Sequence, residues 1–171
     1  EKQVLVEAGM VGIVPQNYVL FNHRTIRGNW QIAMEKSGMD TAGKDKLMQE
    51  YAAHFGLSEH LDKYPMQLSG GQRQRVSIIQ QVLTGNKFIL LDEPFSGLDA
   101  IMVDRITELL LKVSQLDEHN TLVIVSHDIE SAVAISDAVY LLGTPDPEKG
   151  ATMTRAYDLC EMDLAWQPDI R

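Results

Sequence analysis

The sequence has few residues of the kinds that build disulfide frameworks, membrane spans or nucleic-acid surfaces. Its single cysteine, Cys160, can form neither an internal disulfide nor a cysteine-based metal site, which is typical of a reducing compartment. No apolar run approaches the roughly 18 residues that a membrane-spanning helix needs. The 15 basic residues are outnumbered by 24 acidic ones, and the formal net charge of −9 argues against binding of nucleic acid. If the protein acts at a membrane, it does so through a partner.

What remains is the composition of an ordinary globular protein. Hydrophobic residues make up 44% of the chain and charged residues 23%, close to the averages for folded proteins. A length of 171 residues suits one domain, or one compact core with a small subdomain, and suffices to bury a substantial apolar interior.

Short apolar runs predict an α/β fold with a parallel sheet. The run Val11–Val14 ends at a proline, and the run Phe88–Asp92 ends in an acid and suits a strand buried on both faces. Residues 122–125 and 138–142 form two further strands, and helical patterns lie between the later strands. This alternation implies right-handed crossovers that place the strands in one mostly parallel sheet flanked by helices.

The segments outside these strands are predicted to be mainly helical. Apolar residues recur at helical spacing over residues 26–64, with breaks at glycines, and this pattern indicates a small helical subdomain. A further helix is predicted over residues 72–83, with Ser69 as its N-cap. After Gly143 we expect a loop and then a short helix near residues 154–166.

Four polar side chains follow the predicted strands directly. Gln16, Asp92, Glu93 and His127 all fall at carboxyl ends, where open α/β sheets bind their ligands. A carboxylate fixed at such a place can hold a hydrated Mg²⁺ beside nucleotide phosphates, and a neighbouring acid can act as a general base toward water. Alternatively, both acids are solvated loop residues.

A glycine-rich turn opens the helix predicted after residue 69. In the run Leu68-Ser69-Gly70-Gly71-Gln72, two glycines at a helix start leave backbone N–H groups bare. With the positive end of the helix dipole, those groups form an anion site suited to a γ-phosphate. The alternative is an ordinary capped helix after a glycine turn.

At this point the sequence resembles the ABC ATPase family, whose signature motif reads LSGGQ. The resemblance covers roughly residues 11–142, and the family's motifs occur in their usual order. These are a glutamine loop at Gln16, the signature at residues 68–72, a Walker B strand at residues 88–92 followed by Glu93, a D-loop at residues 96–99, and a switch histidine at His127. The resemblance implies a P-loop NTPase-like α/β fold that binds ATP and Mg²⁺.

The resemblance also implies a role for each matching residue. Glu93 would be the catalytic base, Asp92 would hold Mg²⁺ through its water shell, and Gln16 would be a further ligand to metal and water. His127 would contact and sense the γ-phosphate. Ser69, Gly70, Gly71 and Gln72 would belong to the surface that binds ATP held by the opposite subunit, and Asp99 would bridge the two sites. The other four histidines are interpreted as structural residues.

The same resemblance implies an assembly and a division into domains. The active unit would be a head-to-tail dimer of ATPase subunits bound to transmembrane permease subunits, so that the protein would be cytoplasmic and peripheral on the inner face of the cell membrane. Residues 1–16 and 65–150 would form the α/β core, residues 17–64 the helical subdomain, with its signature region continuing to about residue 84, and residues 151–171 a C-terminal tail.

One motif of the family is missing. A P-loop reads G-x-x-x-x-G-K-[ST], and residues 38–44 match its first seven positions, but Asp45 stands where a hydroxyl should contact Mg²⁺. We interpret this segment as a loop of the helical subdomain, and expect the true P-loop upstream of Glu1. The chain alone should therefore bind ATP poorly and hydrolyse it negligibly.

Three functions fit these motifs. The first is the motor subunit of a solute importer, because the short stretch between Gln16 and Leu68 matches the compact subdomain with which transporters of this family bind membrane partners. The second is a soluble ABC ATPase acting on chromosomes or ribosomes, which the acidity and the lack of a long coiled-coil insertion disfavour. The third is a truncated, non-catalytic module that pairs with an intact subunit.

Overall fold

The structure is a computed structural model that describes residues 10–116, 119–146, 148 and 150–165. The chain divides into two compact units, Glu1–Val125 and Ser126–Arg171. The predicted boundaries of the core, the helical subdomain and the tail remain predictions.

The first unit is built on a parallel sheet. Strands β1 (Val11–Val14), β2 (Phe88–Asp92) and β3 (Thr121–Val125) follow one another in that order across it. The register pairs Val14 with Leu91 and Asp92 with Val125, so that the three carboxyl ends meet at one edge. The predicted parallel arrangement of these strands is confirmed.

Four helices complete the first unit: α1 (Ile26–Ala33), α2 (Thr41–His54), α3 (Gly70–Leu83) and α4 (Ala100–Gln115), with short 3₁₀ turns at Ser58–His60 and Pro65–Gln67. Each helix starts at a polar N-cap whose side chain accepts a hydrogen bond from the N–H three residues on; the caps are Thr25, Asp40, Ser69 and Asp99. Residues 26–64 are therefore mainly helical with breaks between the helices, as predicted.

The core of this unit lies between the helices and one face of the sheet. Trp30 on α1 is fully buried, and its indole N–H donates to the carbonyl of Val76 on α3 at 3.1 Å. On the sheet side, Ile89 and Leu91 of β2 are buried. Each such side chain stabilises the fold by roughly 1.5–3 kcal/mol relative to an exposed position.

The other face of the sheet does not fit the prediction of strands buried on both sides. In β2 the alternate residue Phe88 is 50% exposed, and in β1 and β3 Ile13 and Val123 are 55% and 46% exposed. The reason is that α3 packs on one face only, where a Cβ added to Gly12 would contact Gln81 of α3. The opposite face keeps its apolar side chains exposed.

The second unit corrects two predictions about the C-terminal segment. After α5 (Ile129–Val133), strand β4 (Ala138–Gly143) pairs antiparallel with β5 (Thr152–Asp158), so β4 does not join the parallel sheet. The helix predicted near residues 154–166 is wrong over the stretch that β5 occupies, and turns follow at residues 159–163. β-branched Thr152 and Thr154 favour a strand, and Gly150, two residues before it, has a positive φ of 75°, which a glycine adopts without strain.

Across the described ranges, no helix combines the length and apolar character that crossing a lipid bilayer demands.

Candidate active site

The loops after β1 and β2 meet at the carboxyl edge of the sheet. Gln16 lies two residues beyond Val14, in a tight turn that closes with a bond from Tyr18 N–H to the Pro15 carbonyl at 3.0 Å. The side-chain Nε2 of Gln16 donates to Oγ of Ser96 at 3.3 Å. The structure thus places Gln16 beside the loop that carries Asp92 and Glu93.

Glu93 has an unusual backbone conformation for a residue with a side chain. Its φ is +50°, in the left-handed region that costs most L-residues roughly 1–2 kcal/mol. Its N–H donates to the carbonyl of Val125 on β3 at 2.8 Å, and its own carbonyl accepts from Ser96 N–H at 3.2 Å. Such strain is held only where the surroundings impose it, and it concentrates at functional sites.

The two acids differ in their environment. Asp92, the last residue of β2, is exposed, whereas Glu93 is half-buried and its Oε2 atom is inaccessible to solvent. An exposed carboxylate can take part in a hydrated cation site, and a shielded one can accept a proton from a water molecule held beside it.

The oxygen atoms of Asp92 and Gln16 suit magnesium better than a metal ion that is coordinated entirely by protein side chains. The described residues contain no group of three or more His, Cys, Asp or Glu side chains that could surround a metal ion. Asp92 and the amide oxygen of Gln16 are oxygen donors, and Mg²⁺ is commonly held by one or two protein oxygens while waters and phosphates complete its shell. The residues at this edge therefore fit the predicted ion.

The start of α3 has the features of an anion site. Ser69 closes a capping box, in which its hydroxyl accepts from Gln72 N–H at 3.3 Å and its own N–H donates to Oε1 of Gln72 at 2.9 Å. The N–H groups of Gly70 and Gly71 donate to no acceptor within the described ranges. Gly70 is exposed whereas Gly71 is buried, so an unbonded N–H group at an exposed residue lies at the positive end of a helix.

The two glycines of this motif differ in whether the fold requires them. A Cβ on Gly71 would lie 2.0 Å from Cε of Met102 on α4, so this glycine allows α3 and α4 to pack. A Cβ on Gly70 would meet no atom within 4 Å. The fold therefore explains Gly71 but gives no reason for Gly70.

The side chain of Gln72 is held on both sides. Its Oε1 is used by Ser69, so its Nε2 must be the donor toward Nε2 of His60 at 2.8 Å. His60 is then neutral, in agreement with a lowered pKa that arises mainly from burial and also from the nearby charge of Lys63. Sequence reasoning missed this contact, because it treated His60 only as one of four structural histidines.

Asp99 and the signature motif lie close together in the same chain. Asp99 caps α4 through a bond from Met102 N–H to its Oδ1 at 2.9 Å, and Met102 is the residue that packs on Gly71. The D-loop before it turns through Gly97, whose φ is +71°. The D-loop and the signature are thus linked through Met102.

A second glutamine of α3 also escaped the sequence analysis. Gln74 is fully buried, and its Nε2 donates to the carbonyl of Pro94, the residue after Glu93. The QRQR run after the signature contains it, but no local pattern predicts a contact across 20 residues.

His127 lies two residues beyond the end of β3, in the second unit, and so follows a strand as predicted.

The partial P-loop match at residues 38–44 spans the start of α2, and Oδ1 of Asp40 accepts from Gly43 N–H at 2.8 Å. The carboxylate of Asp40 thus already accepts a hydrogen bond from the Gly43 N–H, which a bound phosphate would need as a donor.

Comparisons with known proteins agree with this geometry. Residues 3–96 match the family model described as ABC transporter. The chain is 38% identical over 132 residues to a bicarbonate transport ATP-binding protein, CmpC, of Synechococcus elongatus, covering 76% of this chain and 20% of that protein. It is 35% identical over 153 residues to a sulfate/thiosulfate import ATP-binding protein, CysA, of Thermosynechococcus vestitus, covering 90% and 45%.

The fold is shared with solved ATP-binding cassettes. One is the dimeric post-hydrolysis state of the cassette MJ0796 bound to ADP and phosphate, with a TM-score of 0.69 and 26% identity over 87% of this chain and 62% of that one. The chain spans less than half the length of the two curated relatives. With the family model matched over more than half of the chain, and with the signature at a helix start and the acid pair at a strand end, the chain belongs to the ABC transporter family.

Proposed function

We propose that this chain forms most of the ATP-binding and ATP-hydrolysing domain of an ABC importer's motor subunit. The observation that carries the proposal is the unbonded N–H group of the exposed Gly70 at the start of α3, at a position where the fold does not require a glycine. A phosphate group that binds beside Gly70 would explain why this residue is a glycine. The import function in the name of the relative CysA supports the direction of transport.

In the proposed reaction, Glu93 accepts a proton from a water molecule whose oxygen attacks the γ-phosphorus of ATP, while the bond from that phosphorus to the β,γ-bridging oxygen breaks and ADP leaves. Asp92 and the amide oxygen of Gln16 would hold Mg²⁺, and that ion would supply positive charge beside the phosphate oxygens. The bond from Gln16 to Ser96 and the bond from Glu93 N–H to Val125 hold the loops of β1 and β2 in place before ATP binds. His127 contacts the γ-phosphate.

The proposed active unit is a head-to-tail dimer. Ser69, Gly70 and Gly71 of one subunit bind the triphosphate held by the other, so that ATP joins the two surfaces and hydrolysis releases them. Gln72 holds the helix start rigid through Ser69 and His60, and Asp99 lies beside the same surface. The dimeric form of the solved cassette supports this arrangement.

The proposed permease contact is the segment between Gln16 and α1. Val19 and Phe21 are 68% and 43% exposed. The backbone of Phe21 is held at both its N–H and its carbonyl by the buried amide of Asn29, at 2.7 and 3.2 Å. A rigid segment with exposed apolar side chains suits a partner that must transmit force, and it would place the protein at the inner face of the membrane.

The chain contains no complete G-x-x-x-x-G-K-[ST] sequence. We therefore propose that it hydrolyses ATP only in a full-length protein that supplies a P-loop. The exposed sheet face around Ile13, Phe88 and Val123 is a suitable surface for that part of the domain.

The test is ATP hydrolysis by the full-length protein with Mg²⁺, comparing Glu93→Gln with Glu108→Gln. Glu108 is an exposed acid on α4 that lies outside the site and serves as a matched control. We expect the rate to fall about 100-fold or more for the first variant, because a general base typically contributes that much, and to stay unchanged for the second. Equal rates in both variants would contradict the proposal.

A further inference from the structure

We infer that Gln74 is a positioning residue that holds the catalytic loop after β2 against the signature helix of the same chain. The inference rests on the proposed function, because it assigns Gln74 a task in placing Glu93. Its support is the contact between α3 and the loop of residues 93–96.

The buried position of Gln74 disfavours a polar side chain, yet this side chain makes one specific hydrogen bond. The side chain is fully buried, its Nε2 donates to the carbonyl of Pro94, and its Oε1 is buried with no hydrogen-bond partner in the described part of the chain. The amide cannot turn over, since its oxygen would then face the Pro94 carbonyl. A buried polar atom without a partner destabilises a fold, so an apolar residue of equal size would suit the core better. The bond to Pro94 is what the glutamine provides.

That bond completes the support of a strained loop. Glu93 is held in its left-handed conformation by Val125 on one side and by the turn to Ser96 on the other. Gln16 holds Ser96 from the end of β1, and Gln74 holds Pro94 from α3. Without the α3 contact, the buried Pro94 carbonyl loses this partner, and the residue next to the catalytic carboxylate is free to shift.

The contact also joins two surfaces of one subunit. Gln74 lies one turn beyond Gly70, at the start of the same rigid helix. In the proposed head-to-tail dimer, Gly70 contacts the ATP of one site while Glu93 of the same chain acts at the other.

The experiment compares Gln74→Met with Gln80→Met. Gln80 lies on the same helix and also has a buried Oε1 without a partner in the described residues, but it makes no bond to the catalytic loop. The first readout is amide hydrogen exchange in the full-length protein. The second is steady-state ATP hydrolysis by the full-length protein, with kcat and KM measured separately.

For Gln74→Met we expect the amides of Glu93 and Ser96 to exchange about 10-fold faster while core amides of α4 are unchanged. We also expect kcat to fall about 10-fold or more with KM for ATP within about 2-fold, because a small misplacement of a catalytic group slows chemistry more than binding. Gln80→Met should leave all of these values at the wild-type level.

Two results would overturn the inference: exchange and kcat that match those of Gln80→Met, or a uniform rise in exchange across the whole unit, which indicates a merely structural role. Absence of ATP hydrolysis in the wild-type full-length protein would instead contradict the proposed function. The exchange of Glu93 and Ser96 would still decide whether Gln74 positions the loop.

Discussion

Replacing Gly70 and Gly71 by alanine, one at a time, separates the part of the signature motif that serves the fold from the part that serves a ligand. At Gly70 the added methyl group meets no atom within 4 Å, and the backbone is not in the left-handed region. An alanine in a helix is about 0.5 kcal/mol more stable than a glycine. The Gly70→Ala chain should therefore be as stable as the wild type or slightly more so.

At Gly71 the same change produces an overlap. The new Cβ would lie 2.0 Å from Cε of Met102, well inside the 3.4–4 Å of ordinary contact. Overpacking of this kind costs about 1–3 kcal/mol, and the flexible end of Met102 places the expected loss near 1 kcal/mol. For a chain of this size, 1 kcal/mol lowers the melting temperature by roughly 2–4 °C.

The activities should rank in the opposite order. On the proposed function, the methyl group of Gly70→Ala occupies the place where a γ-phosphate meets bare N–H groups, so ATP hydrolysis by the full-length protein should fall at least about 10-fold. Thermal unfolding and ATP hydrolysis measured on the same preparations give both values. Adding Met102→Ala to Gly71→Ala should remove the overlap.

Wild-type hydrolysis in Gly70→Ala would refute the reasoning, since the glycine would then have neither a structural nor a ligand-binding cause. A large loss of stability in that variant would equally contradict the open space seen around Gly70.

Two further predictions concern the helices behind the signature. Because the pKa of His60 is lowered in the folded chain, the unfolded chain protonates this imidazole near the ordinary value of 6.5 and the folded chain only at lower pH. Stability should therefore fall as the pH drops below about 6.5. The urea midpoints at pH 7.5 and 5.5 should differ less in His60→Gln than in the wild type. Replacing the buried Trp30 with phenylalanine removes its hydrogen bond to the Val76 carbonyl and part of the side-chain volume. The free energy of unfolding, measured by urea titration, should fall by about 1–2 kcal/mol. An unchanged urea midpoint would contradict the packing described for α1 and α3.

Much of the first unit could be predicted because its signals are local. The strand Phe88–Asp92 begins and ends where its apolar run does, and α3 starts at the glycines that follow its N-cap Ser69. The helix–strand alternation correctly predicted the parallel pairing of β1, β2 and β3.

The errors and omissions involve partners distant in sequence. Whether a strand has one or two covered faces depends on what packs there, and Phe88 shows the same apolar character as its buried neighbour Ile89. The pairing of β4 with β5 depends on a strand that follows a turn, where β-branched residues outweighed a weak helical pattern. The contacts Gln16–Ser96, Gln72–His60 and Gln74–Pro94 arise only from the folded arrangement.

The most direct test measures the mass of the full-length Glu93→Gln protein by light scattering, with and without ATP and Mg²⁺. We predict that nucleotide doubles the mass, because two subunits close around ATP that is no longer hydrolysed, and that adding Gly70→Ala abolishes the doubling. A mass that ATP leaves unchanged would contradict the claim that the acids of one subunit and the signature glycines of another bind the same triphosphate.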